Sequence, residues 1–298
     1  MEWLEVKITV EAEAAEAVAE VLSRYAPQGV AIDLGNTSAA EQVTVRAYLA
    51  HDETIAERQR QVEEGLWHLS QIWPMPAPTF TSIADQDWTA SWRETLPVLH
   101  LGRRIVIKPS WREYSPRPGA TRPDEVVLEL DPGQAFGTGL HPTTQLCLET
   151  LELLVQPGMR VLDLGTGTGI LALAAAKLAA SIEILAVDND PNAIAVARRN
   201  ARMNEVSANI RLLHGSLNDV SGTYDLILAN ILAPVIIEMA QLGLGARLRP
   251  EGRLVASGIL AEQQADVVAV LQQNGMELLS AQQKGDWVVL VAGRVRSV

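Results

Sequence analysis

The sequence has a single cysteine, Cys147, among its 298 residues. An intramolecular disulfide is therefore impossible, and so is a metal site built from several cysteines. The five histidines form no H-x-x-x-H pair, and the chain has no C-x-x-C pattern. We therefore expect no metal site. No spacing indicates a Ser-His-Asp arrangement either, so the catalytic residues, and any general base, are not assigned from the sequence.

Long apolar runs are also missing, since no run approaches the ~18 residues that a membrane-spanning helix requires. The opening residues, Met1 to Lys7, include acidic side chains and lack the pattern of a secretory signal peptide. Together with the single cysteine, these features predict a cytoplasmic protein that has no membrane partner.

Positive charge is scarce, because 24 lysines and arginines face 36 acidic residues and give a formal net charge of −12. General nucleic-acid binders gain affinity by neutralising phosphates, so this balance argues against one and fits a basic protein partner. The stretch from Arg93 to Arg122 is locally basic and could contact RNA or a carboxylate. A solvated loop face is the favoured interpretation of that stretch.

The hydrophobic pattern divides the chain into two parts. Residues 1–85 show the order β-α-β-β-α-β, which is typical of a ferredoxin-like α+β domain. The predicted elements are strands at Trp3–Val10, Val30–Leu34, Val43–Leu49 and Thr79–Ile83, and helices at Ala14–Tyr25 and Thr54–Ile72. Residues 86–100, with Trp88 and Trp92 on one face, predict a short linker helix. Residues 101–298 alternate strands with helices and end in a hairpin, which indicates an α/β domain with a mainly parallel sheet.

The segment Val161–Gly169 carries the clearest functional signal. An apolar strand runs into Gly165, Gly167 and Gly169, an apolar helix follows, and Asp188 ends the next apolar strand. This order predicts a nucleotide pocket in which the ligand lies against the glycine backbone and a carboxylate binds a ribose. The D-x-G-x-G-x-G spacing differs from the dinucleotide G-x-G-x-x-G pattern and is similar to motif I of S-adenosylmethionine-dependent methyltransferases. The alternatives are an NAD-dependent oxidoreductase, for which no hydride-transfer pair is visible, and a purely structural glycine turn.

Asn230 follows the strand Asp225–Ala229, where the ends of parallel strands line a ligand crevice. Amine methyltransferases often have N/D-P-P-Y/F here, whereas this chain has Asn-Ile-Leu-Ala. The missing aromatic argues against a nucleobase amine and leaves an alkyl amine as the acceptor. The alternative is an asparagine that only shapes the turn. Asp190 precedes Pro191 and is predicted to cap a helix, which leaves Asp188 as the ribose ligand.

A glycine-rich loop, Asp131–Thr144, leads into a helix that Thr143 or Thr144 could cap. The loop could close over a cofactor, or it could simply precede a capped helix. His141 stands apart from other histidines and cysteines, so we assign it no role as a base or a ligand.

This loop, together with Val161–Gly169 and Asn230–Ala233, resembles the bacterial ribosomal protein L11 methyltransferases over nearly the whole chain. The resemblance implies a Rossmann-like methyltransferase domain at 101–298 and a ferredoxin-like substrate-recognition domain at 1–85. It implies S-adenosylmethionine as the cofactor and lysine and N-terminal amines of ribosomal protein L11 as the acceptors. The implied cofactor-binding residues are Thr144, Gly165, Gly167, Asp188 and Asn230.

The alternative is an N-methyltransferase of RNA or of a small molecule, in which the small domain and the basic stretch would bind RNA. The acidic net charge and the missing aromatic after Asn230 argue against RNA. No sequence-specific nucleic acid partner is therefore expected.

Overall fold

The computed structural model describes residues 2–23, 25–26, 30–33, 42–50, 52, 54–71, 74–84, 97–115, 125–131, 135 and 137–295. The chain divides into two compact units, Met1–Leu96 and Pro97–Val298. Most of the predicted linker helix, with Trp88 and Trp92, lies outside the described residues.

The first unit has the predicted order of elements. Its strands are β1 (Glu2–Glu11), β2 (Val30–Asp33), β3 (Gln42–Ala50) and β4 (Thr79–Ala84), and its helices are α1 (Ala12–Ser23) and α2 (Ile55–Ser70). The sheet has the order β2-β3-β1-β4 with antiparallel neighbours. This is the ferredoxin-like topology, and the observed strand and helix ends fall within a few residues of the predicted ones.

Period-two alternation explains the central strand of this unit. In β1, Leu4, Val6 and Ile8 are buried, whereas Lys7 is exposed. The buried side chains pack with Val18 of α1 in one core. The unit therefore has a hydrophobic core of its own.

The second unit is built on a seven-stranded sheet. Its strands are β8 (Arg160–Leu164), β9 (Glu183–Asp188), β10 (Ile210–His214), β11 (Tyr224–Asn230), β12 (Leu248–Leu260), β13 (Met276–Lys284) and β14 (Trp287–Arg294). The order is β10-β9-β8-β11-β12-β14-β13; β14 runs antiparallel to β12 and β13, and the other neighbouring strands are parallel. The order of strands reverses at β8, and such a reversal opens a crevice at the carboxyl ends of the strands.

The described part of this unit also contains five α-helices and a smaller sheet. The helices are α3 (Pro142–Leu154), α4 (Ile170–Leu178), α5 (Pro191–Met203), α6 (Ala233–Gln241) and α7 (Gln264–Gln273). The smaller sheet comprises β5 (Leu99–Leu101), β6 (Ile105–Pro109) and β7 (Val126–Leu130). In β8, Val161 belongs to one buried core and Leu162 to another, so both faces of the large sheet are covered.

None of the helices in the described ranges has the length and apolar character that spanning a bilayer requires.

Candidate active site

A pocket of about 530 Å³ lies at the carboxyl ends of the central strands. Its wall includes Leu164 at the end of β8, Asp188 at the end of β9 and Asn230 at the end of β11. This is the position at which open α/β sheets bind their ligands. Of the five predicted cofactor-binding residues, the structure places Gly165, Gly167, Asp188 and Asn230 on this one surface.

The glycine turn forms the floor of the pocket. Gly165, Gly167 and Gly169 have φ values of 69°, 55° and 84°, in the left-handed region that side chains with a Cβ rarely adopt. A Cβ on Gly165 would lie only 2.3 Å from Cγ2 of Ile231. The absence of a side chain at Gly165 therefore lets Ile231 pack directly against the turn, while the backbone of Gly165 and Gly167 lines the pocket.

The carboxylate of Asp188 is fixed beside this turn by two backbone donors. Gly167 N–H donates to its Oδ2 over 2.8 Å, and Asp190 N–H donates to its Oδ1 over 3.0 Å. Each oxygen retains a lone pair, so the carboxylate can still accept hydrogen bonds from two hydroxyls. The predicted separation of roles also has a structural basis, because the Asp190 side chain caps α5 by accepting from Asn192 N–H over 2.8 Å.

Asn230 and Thr144 meet behind the pocket wall. Asn230 Nδ2 donates to Thr144 Oγ1 over 3.2 Å, and Thr144 is completely buried. Thr144 is thus set back from the pocket surface, where its neighbour Thr143 lies instead. Asn230 Oδ1 is buried and has no hydrogen-bond partner within the described ranges. An unpaired buried carbonyl is costly, and this one can accept a donor delivered by a ligand.

The sequence-based capping prediction for α3 is wrong, because His141 rather than Thr143 or Thr144 is the N-cap. Thr143 N–H donates to His141 Nδ1 over 3.4 Å, and the same nitrogen lies 2.7 Å from Thr143 Oγ1. Pro142 occupies the first helical position, so both threonines already lie inside the first turn. Pro142 was the signal in the sequence that could have identified His141 as the cap, because proline favours the first helical position.

His141 also lines the pocket, although the sequence gave us no reason to place it there. Its ring packs edge to face against Trp287, with centroids 4.8 Å apart and an angle of 70° between the planes. Burial lowers the pKa of His141 below its ordinary value, which favours the neutral ring. Together the two rings form an aromatic part of the wall.

Asp163 is a buried carboxyl beneath the glycine turn. Only 1% of the residue is exposed, and Thr166 Oγ1 donates to its Oδ2 over 2.6 Å. Burial raises the pKa of Asp163 to about 7, and the charge of Asp188 acts in the same direction; hydrogen bonds from Thr166 and from the Ala172 backbone oppose the rise. The glycine turn therefore lies above a carboxyl group whose pKa is raised to about 7.

Comparison with known proteins agrees with this architecture. A family model described as "Ribosomal protein L11 methyltransferase (PrmA)" matches residues 2–295. The chain is 41% identical to proteins of that name from Chloroflexus aurantiacus, with 98% of each chain covered, and from Herpetosiphon aurantiacus, with 97% of this chain and 98% of the relative covered. It also resembles the crystal structure of a ribosomal protein L11 methylase from Lactobacillus delbrueckii subsp. bulgaricus. That similarity has a TM-score of 0.61 and 36% identity, and it covers 67% of this chain and 99% of the other.

These matches confirm the predicted fold class, a Rossmann-like methyltransferase sheet with a small ferredoxin-like domain before it. They also show that the cofactor is S-adenosylmethionine. The chain therefore belongs to the ribosomal protein L11 methyltransferase family, a family of S-adenosylmethionine-dependent protein methyltransferases.

Proposed function

We propose that this protein transfers methyl groups from S-adenosylmethionine to lysine and N-terminal amines of ribosomal protein L11. Support for the substrate comes from the relatives named for L11 methylation, which match the chain at 41% identity and over 97–98% of its length. We place the reaction in the cytoplasm, where ribosomal proteins are made.

The proposed cofactor contacts are Gly165, Gly167, Asp188, Asn230 and Thr144. S-adenosylmethionine supplies a methyl group activated by a positively charged sulfur. Asp188 would accept hydrogen bonds from the ribose hydroxyls, because both of its oxygens retain a lone pair after binding Gly167 and Asp190. Gly165 and Gly167 would let the ligand lie against the backbone, since both line the pocket and neither has a side chain.

The main support for an amine acceptor is the amide of Asn230. Its buried Oδ1 has no partner among the described residues, while its Nδ2 is held by Thr144. The fixed amide thus presents an acceptor at the pocket wall. An amine N–H can donate to that oxygen, which would direct the lone pair of the amine nitrogen away from Asn230. Asn230 would orient the amine, and alignment of this kind can contribute several kcal/mol to a transition state.

The acceptor amine must also be neutral when it attacks. An ordinary lysine, with a pKa of about 10.4, is neutral in only about one molecule in 2,500 at pH 7. Entry into the pocket favours the neutral form, because Ile231, Leu232 and Val235 give the wall an apolar lining. The positive charge of the cofactor acts in the same direction. No residue of the chain is therefore required as a general base.

We assign substrate recognition to residues 1–85, the linker to residues 86–100 and cofactor binding to residues 101–298. The positions of the pocket residues support this assignment, because all of them lie between Ala135 and Trp287. The first unit has its own core and contributes nothing to that pocket within the described residues. A separate recognition unit would suit an enzyme that methylates several amines of one protein.

Incubation with methyl-labelled S-adenosylmethionine and a mixture of ribosomal proteins and ribosomal RNA tests this proposal. We expect the label on the L11 band, and we expect much less of it when the Asp188→Ala variant is used at a cofactor concentration near the wild-type KM. Label on RNA alone, or on a different ribosomal protein alone, would contradict the substrate assignment.

A further inference from the structure

Two asparagines on α5 and at its end are almost completely inaccessible to solvent. Asn200 is 0% exposed and Asn204 is 4% exposed. They are four residues apart and therefore lie on the same side of the helix. A buried amide is costly unless it is hydrogen-bonded, so the partners of each asparagine indicate what it does.

Asn204 binds the backbone of one residue in β7. Its Oδ1 accepts from Glu129 N–H over 2.9 Å, and its Nδ2 donates to Glu129 O over 2.6 Å. The side chain thus pairs with the strand much as a neighbouring strand would. Neither residue lines the pocket.

Asn200 instead joins two segments that reach the pocket. Its Nδ2 donates to Thr168 O over 2.9 Å, and its Oδ1 accepts from Asp131 N–H over 3.0 Å. Thr168 lies in the glycine turn, and its Oγ1 donates to Gly137 O over 2.7 Å. Asn200 and Thr168 therefore attach both Asp131 and Gly137 to the turn.

The segment attached in this way carries part of the pocket wall. Ala135 lies between the two attachment points, and His141 and Thr143 follow Gly137 by a few residues. The segment then continues into the first turn of α3, where Thr144 holds Asn230. The position of this wall relative to the glycine turn thus depends on Asn200 and Thr168, although neither side chain lines the pocket itself.

We propose that Asn200 is a positioning residue for the S-adenosylmethionine pocket, acting directly on Asp131 and through Thr168 on residues 137–141 to hold them against the glycine turn. The inference rests on the proposed cofactor half of the function and does not depend on which protein is methylated. Loss of the Asn200 side chain should weaken cofactor binding, because the cofactor must then order the released segment when it binds.

Three variants test this proposal. Asn200→Ala removes the attachment, and Thr168→Val removes the bond to Gly137 with little change in side-chain shape. Asn204→Ala is the matched control, since it deletes an equally buried amide near the end of the same helix. Calorimetric titration with S-adenosylmethionine, without any methyl acceptor, measures affinity separately from the substrate proposal. Hydrogen exchange at Ala135 and Gly137–Leu140 reports on the segment itself, and thermal melts report on the fold.

We expect Asn200→Ala and Thr168→Val each to weaken binding by about tenfold, the equivalent of one hydrogen bond, and to speed exchange in the segment. Asn204→Ala should lose thermal stability while it keeps its affinity. The two effects on affinity should be less than additive in the double variant, because both changes release the same segment.

Equal affinities for Asn200→Ala and Asn204→Ala would overturn the proposal, as would fully additive losses in the double variant. If Asn200→Ala does not fold, Thr168→Val decides the question. Wild-type affinity in Thr168→Val would then show that attachment of the segment does not matter for binding.

Discussion

Asn230 Nδ2 and Thr144 Oγ1 lie 3.2 Å apart although 86 residues separate them in the chain. The contact joins the carboxyl end of β11 to the first turn of α3 and holds Nδ2 of Asn230 beside the Thr144 hydroxyl. Its Oδ1 is left as a buried acceptor without a partner among the residues described. The consequences for turnover, binding and stability can each be measured.

Replacing Asn230 with alanine should remove most of the turnover while leaving much of the cofactor affinity. The reason is that the proposed hydrogen bond to the amine matters chiefly in the transition state, so the loss falls on kcat. Single-turnover methylation with saturating cofactor measures this effect. Thr144→Val is the companion variant: it keeps the carbonyl but loosens the amide, and its loss should be smaller. A wild-type rate in Asn230→Ala would show that Asn230 only shapes the turn and does not orient the amine.

The neighbouring acids Asp188 and Asp190 should respond differently to replacement by alanine. Asp188→Ala should weaken S-adenosylmethionine binding by about 1–3 kcal/mol, because it removes acceptors from the ribose and also the anchor of Gly167 N–H. Asp190→Ala should cost about 1 kcal/mol of folding stability, since it deletes the cap of α5. Titration calorimetry and thermal melts of both variants make the comparison. Equal effects of both variants on binding would show that these roles are wrongly divided.

Asp163 should make folding stability depend on pH. The pKa of its carboxyl is raised by burial from 3.8 to about 7, so the native state binds this proton more tightly than the unfolded chain does. Its stabilising contribution is complete below about pH 4 and is lost as the pH rises through about 7, with a total on the order of 4 kcal/mol.

The variant Asp163→Asn tests that dependence. The amide has nearly the same shape and does not ionise, so the difference in stability between variant and wild type should shift in favour of the variant from pH 5 to pH 8. Denaturant unfolding without cofactor at several pH values measures this difference. Parallel stability curves for the two proteins would contradict the role of Asp163.

A truncated chain that starts at Gln86 should fold and bind S-adenosylmethionine with near-normal affinity. The pocket and both of its surrounding cores lie within the second unit, so cofactor binding does not need the first unit. The same protein should fail to methylate L11 at ordinary concentrations. Undiminished methylation would rule out a recognition role for the first unit, and failure of the truncated chain to fold would indicate a structural role instead.

Much of this site could be predicted because it follows from local patterns. Strand ends are visible as the last apolar residue of a run, and the ends of parallel strands meet at one edge of a sheet. That rule alone brought Gly165, Asp188 and Asn230 together. The ferredoxin-like order was equally accessible, since alternation in strands such as β1 marks their buried faces.

Other features depend on contacts that no local pattern records. Asn200 binds Asp131, 69 residues earlier, and nothing in a helical repeat distinguishes that amide from a surface one. The raised pKa of Asp163 likewise follows from complete burial, which the motif around it does not reveal. His141 was missed because a lone histidine suggests neither a metal site nor a base, and its position against Trp287 arises only when α3 meets β14.

The position of the methyl groups on the product tests the central claim most directly. Purified L11 would be treated with this protein and S-adenosylmethionine, and the methylated atoms would be identified by mass spectrometry of its peptides, with Asn230→Ala as the matched control. The account predicts methyl groups on lysine side-chain amines and on the N-terminal amine, and far fewer with the control. Methyl groups on oxygen or sulfur atoms, or equal methylation by the control, would contradict an amine methyltransferase organised around Asn230.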